Sequence, residues 1–235
     1  MKALKTLPGL LLAIFLAFSL QAQEPVLDKD VAEIYKESKF GPNKKHFHQN
    51  MIAFSLPLGA SETGADLKYF RSVDFSVGHR YKRKLAGFYA LGLNTTFNFA
   101  NFNLKQNDDK LIPTNVEYDN EKIMLYSLEA EHYHRFNFGK RGNSIGTFLD
   151  IGIAADWIFF SKHESVEKDL IDEAKKTSII NKKLDYIEPF VFYGKARFGY
   201  NHGSFVFSYR ITDIFKGSYD FPEFTPFKLG LELSL

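Results

Sequence analysis

The chain has 235 residues, with 30 Lys and Arg against 28 Asp and Glu, 25 Phe, 12 Tyr, a single Trp and no Cys. Without Cys there is no disulfide-stapled scaffold, no lipoprotein anchor, no thiolate metal site and no Cys nucleophile. A balanced charge leaves no basic footprint for nucleic acid, and beyond residue 22 no apolar stretch reaches the roughly 20 residues that a spanning helix needs.

Lys2 and Lys5 precede an unbroken apolar run over residues 10–18, followed by Ser19, Leu20, Gln21 and Ala22. A positive start, an apolar middle and a small residue at the cut read as a secretory signal peptide over residues 1–22. Its removal takes away two cations and no acid, so 28 bases face 28 acids in the rest. Residues 23–46 are polar, with a short helical pattern at Val31, Ile34 and Tyr35 and a break at Gly41 and Pro42; they read as a periplasmic extension.

Residues 47–235 then alternate apolar and polar at period two, the signature of strands with two different faces. In the first segment Ile52, Phe54, Leu56 and Leu58 oppose Met51, Ala53 and Ser55. The second sets Tyr69, Val73, Phe75, Val77, His79 and Tyr81 against Asp74, Ser76, Gly78 and Arg80. After a basic turn at Arg83 and Lys84, the third sets Leu91, Leu93, Phe97 and Phe99 against Gly92, Asn94 and Thr96. The fourth sets Tyr126, Leu128, Ala130 and Phe136 against Glu129, Glu131, Tyr133 and Arg135.

A turn over 139–143 leads to the fifth segment, in which Ile151, Ile153, Trp157 and Phe159 oppose Asp150, Gly152 and Asp156. Residues 161–185 form the longest insertion, charged and partly helix-like around Val166, Leu170, Ile171 and Ala174. The last three segments carry Phe192 and Phe198 against Lys195 and Arg197, then Phe205 and Phe207 against Ser208 and Arg210, then Leu229, Leu231 and Leu233 against Lys228 and Glu232.

Eight such segments, joined alternately by tight turns near 83, 140 and 202 and by longer loops near 63, 110, 173 and 220, predict an all-β fold. It is an eight-stranded antiparallel up-and-down transmembrane β-barrel with a short N-terminal periplasmic extension. The competing arrangement is a soluble lipocalin-like cup with the apolar face inward. Eight faces dense in Phe, Leu and Ile would overfill so small a lumen, whereas glycines beside charged residues suit a narrow polar interior.

The architecture resembles the small outer-membrane barrels of the Bacteroidota type and, more broadly, the barrel domain of the OmpA family. That resemblance implies an outer-membrane, porin-like protein of the cell envelope. The chain departs from it in ending on Leu235 where such barrels end on an aromatic.

A lumen this narrow would hold Asp74, Arg80, Glu129, Glu131, Arg135, Asp150, Asp156, Lys195, Arg197, Arg210, Lys228 and Glu232. Isolated buried charge is very costly, so these twelve are expected to pair into a network that plugs the barrel. A conducting pore is the other use of the same residues.

His46 with His48, and His132 with His134, each share a strand face. Two His without a carboxylate partner make no metal site, and no cofactor or metal is expected. A lipid A-modifying enzyme of this size needs a nucleophile beside its base at a lipid-facing rim. His163, with Ser161 and Ser165 in the long loop, does not supply one. The expected role is non-enzymatic, structural or accessory. The partners are outer-membrane lipid and a protein that meets loop 161–186 or the periplasmic extension.

Overall fold

The computed structural model describes residues 38–168 and 176–235. The expected signal peptide, the helical pattern at Val31, and Leu170, Ile171 and Ala174 lie outside them.

Alternating side chains with β-branched and aromatic outer faces give nine strands among the described residues. They are β1 His46–Leu58, β2 Val73–Lys84, β3 Tyr89–Asn103, β4 Asn120–Phe138, β5 Thr147–Lys168, β6 Lys176–Lys182, β7 Phe190–Tyr200, β8 Gly203–Arg210 and β9 Phe227–Ser234. Eight of them close a ring, each antiparallel to its neighbours, because β1 pairs with β9 and β4 with β5. Among the described residues the ninth, β6, pairs with β5 alone.

The register fixes how the ring closes. From His46 it passes through Arg83, Leu91, His134, Ile151, Ala196, Phe207 and Leu229 and returns to β1 at Leu56, ten residues on. A stagger of that size in eight strands requires steeply tilted strands around a narrow lumen.

The faces fall as the alternation predicts. Ile52, Phe54, Phe75, Val77, Leu93, Phe97, Leu128, Ile151, Ile153, Trp157, Phe192, Phe198, Phe205, Phe207, Leu229, Leu231 and Leu233 are all exposed on the outer wall. Their neighbours in sequence point inward and are buried or half-buried. The first short turn occupies residues 85–88, with Arg83 and Lys84 still on β2.

Two features depart from the sequence reading. The register slips between Tyr126 and Ser127, which pair with Phe160 and Ile158, so Phe159 is a bulge that reverses the inward and outward sense of β5 beyond it. Residues 161–168 and 176–182, expected to be loop with helical character, are strands. Their backbone is held by pairing of β5 with β4 on one side and β6 on the other, which places Val166 on a strand. A three-stranded ledge thus stands above the ring.

Candidate functional site in the lumen and at its mouth

Glycines make room for bulky charge carriers in the lumen. Gly92 on β3 faces Tyr133 on β4, and a Cβ there would lie 2.1 Å from the ring. Gly199 gives way likewise to Phe148, whose ring lies 3.8 Å beneath the Arg135 guanidinium. Tyr133 is fully buried with Arg80, Arg135 and Arg197 around its ring at 5.6, 5.6 and 6.0 Å.

The structure brings eleven of the twelve expected charges into ion pairs. Arg80 makes a bidentate pair with Glu232 at 2.7 and 2.8 Å. Arg197 is the hub: it reaches Glu131 at 2.9 Å, Glu232 at 3.1 Å and Asp150 at 3.2 Å. Arg135 holds Asp150 from its other side at 2.6 and 2.7 Å. Nearer the mouth Lys195 bonds Glu129 at 2.5 and 2.7 Å, and Lys228 bonds Asp74.

The other two members differ from the expectation. Arg210 faces inward but pairs with Glu223 of the last loop, and it donates to the Phe224 carbonyl at 2.6 Å. Asp156 has no cation within ion-pair distance among the described residues; it accepts from Asn98 Nδ2 at 3.4 Å. Around Asp156, Lys195 and Lys228 lies a void of about 40 Å³, the size of a few water molecules.

Lys82 is a lumen cation absent from the expected set. It is buried in phase with Arg80, donates to the Pro42 carbonyl and lies 5.3 Å over the Phe47 ring. The alternation of β2 alone would have found it.

Above the charges sits an apolar layer that sequence alternation did not reveal. Phe102, Ile123, Leu125, Ile158 and Val191 from the wall meet Ala65, Leu67, Leu104, Ile112, Leu184, Ile187, Ile214, Phe215 and Phe224 from the loops. Phe102 stacks on Phe224 at 4.8 Å. Burial of such side chains stabilises by about 1.5–3 kcal/mol each, well above an exposed ion pair, so the loops fold over the mouth as a second small core.

A second polar cluster is set into this cap. Glu121 is fully buried and takes Lys110 at 2.7 Å, His163 at 2.8 Å and Gln106 at 3.0 Å. Burial alone would raise its pKa, but the hydrogen bonds from His163, Lys110 and Gln106 outweigh it and hold the carboxyl below its ordinary value. Glu121 and His163 lie beyond the outward apolar band of β4, which begins at Tyr126. The bulge at Phe159 turns His163 and Ser165 inward beneath the loops, on a strand and away from the outer wall.

The histidine pairs occupy the opposite end and face outward. The rings of His132 and His134 are 5.1 Å apart, and those of His48 and His79 are 5.4 Å apart. Among the described residues no group of three or more His, Asp or Glu is placed to hold a metal ion.

The sequence matches no known protein family, and no curated protein matches it. Among solved structures the fold is similar to the crystal structure of Ail, the attachment invasion locus protein of Yersinia pestis. The TM-score is 0.35 at 11% identity, over 81% of this chain and 95% of that one.

Proposed function

We propose that the chain is an integral outer-membrane barrel whose lumen is sealed, that it performs no chemistry of its own, and that it serves as a structural or accessory element. The observation that carries this reading is the pairing of two opposite environments across one wall. Exposed Phe, Leu and Ile ring the outside, while Arg80, Arg135 and Arg197 with their carboxylates fill the inside. A soluble cup would have those faces reversed.

Support for a sealed lumen comes from two layers in series, the ion network below and the apolar cap above. The test is conductance of the purified barrel in planar bilayers: no stable channel is expected, and steady openings at neutral pH would overturn the sealed reading. Recovery from the periplasm as a soluble protein, without heat-modifiable migration, would overturn the membrane reading.

The partner surface in this proposal is the outer hairpin of β5 and β6 within 161–186. Among the described residues β6 leaves one edge unpaired, and Ile179 and Ile180 are half-exposed on it. An open edge offers backbone donors and acceptors to an added strand. Ser178→Pro, which blocks pairing at that edge without touching the ring, should abolish cross-links formed from a photo-reactive group at Ile180. Retention of the same adducts would remove the hairpin from the interface.

A further inference from the structure

One face of the ledge gathers lysines around a single glutamate. Strand parity and register put Lys122 of β4, Lys162 and Glu164 of β5, and Lys176, Ile180 and Lys182 of β6 on that face. Glu164 is the one acid among these six, and it is shared: Lys162 bonds it at 2.7 Å and Lys122 lies 3.4 Å from it. Lys182 is the cross-strand partner of Lys162, so two ammonium side chains stand on directly opposite positions. Like charges so placed repel. Among the described residues Lys182 has no carboxylate within ion-pair distance.

These lysines flank an open edge. All seven residues of β6 are exposed, with Ile179 and Ile180 at its centre and Lys176 and Lys182 at its ends. A strand added along that edge would set its side chains beside those of β6 in the same alternation, so that its two ends meet the two lysines. Charge decides which strands fit. Lysines on an edge keep neutral and basic strands off. A second copy of this chain is refused as well: β6 paired antiparallel with itself about Ile179 would set each Lys176 against the other copy's Lys182, adding two like-charge contacts to that of Lys182 with Lys162.

We infer that the occupant of this edge is an extended segment of a partner protein, with a carboxylate at each end and β-branched apolar residues between. Its acidic ends give Lys176 and Lys182 the opposite charge that Glu164, engaged by Lys162 and Lys122, does not supply. Its apolar middle covers Ile179 and Ile180. The edge itself selects a polypeptide over a free anion, because backbone donors and acceptors recur along it at the strand spacing.

This inference rests on the reading of β6 as the partner surface, and its test separates the two. Two labelled, end-capped peptides, Glu-Thr-Ile-Ile-Thr-Thr-Glu and the same sequence with Lys at both ends, are titrated into the full chain in non-ionic detergent and followed by fluorescence anisotropy. The acidic peptide should bind about ten-fold tighter, since two opposite-charge contacts replace two like-charge ones, and high salt should narrow the gap. Lys176→Glu with Lys182→Glu should reverse the order, Lys140→Glu at the opposite end should leave it unchanged, and Ser178→Pro should weaken both peptides. Equal binding of the two peptides to the parent, or an unchanged order in the double variant, would overturn the acidic partner while β6 remains a docking edge. Binding of neither peptide would overturn the docking edge itself, and the acidic partner with it.

Discussion

The ring of Tyr133 occupies the space in which any side chain at position 92 would have to stand, 2.1 Å from a Cβ built on Gly92. Tyr133 in turn is the surface around which three arginines gather. Gly92→Ala should therefore displace the ring and loosen the network, at a cost of about 1–3 kcal/mol or more for overpacking. The measurement is denaturant unfolding in detergent or vesicles, and Gly87→Ala, where nothing lies within 4 Å, is the control.

Arg197 holds three buried carboxylates, its own side chain being only 2% exposed. Arg197→Met should destabilise by about 3–5 kcal/mol, because it leaves buried acid uncompensated. Adding Glu131→Gln should recover part of the loss. A double variant no more stable than the single one would mean that Glu131 is neutralised from elsewhere.

Phe207 and Leu231 face outward near the middle of the wall, and Ser208 faces the lumen beside Lys195. Phe207→Arg and Leu231→Arg should each cost on the order of 2–4 kcal/mol in lipid, seen as a sharp fall in folded fraction in vesicles. Ser208→Asn should be mild. Parental folding of both Arg variants together with failure of Ser208→Asn would mean that the apolar face does not meet lipid.

Glu121 gives the cap a pH dependence with a definite sign. Its carboxyl is held below the ordinary value of 4.5, so its bonds to Lys110 and His163 contribute fully above that value. The contribution is lost as pH falls through 4.5 towards the lower folded value. Hydrogen exchange at the Leu104 and Lys105 amides, which bond to Glu121 and Asp66 carbonyls in the cap, should speed up on acidification once the intrinsic rate is divided out. Glu121→Gln should be faster at neutral pH and change less on acidification. Identical pH profiles would remove Glu121 as the cause.

Alternation at period two was enough to assign the faces of the ring strands up to the bulge at Phe159. A side chain's side of a strand is set by its parity alone, so Phe207 and Arg197 could be placed without knowing any partner. The same parity contained Lys82, in step with Arg80 on β2. Which acid each cation meets was not legible, because Arg197 reaches Glu131, Asp150 and Glu232 across three different strands and only the ten-residue stagger decides which inward residues share a level.

The mouth of the barrel was decided by tertiary structure almost entirely. A single extra residue at Phe159 reverses parity, turning His163 towards Glu121 when unbroken alternation would have sent it outward. Leu67, Ile112, Ile187 and Phe224 come from four separate connections with no shared period. Local pattern records the two faces of one strand, but a core assembled from loops exists only once closure of the ring has brought the loops together over the same opening.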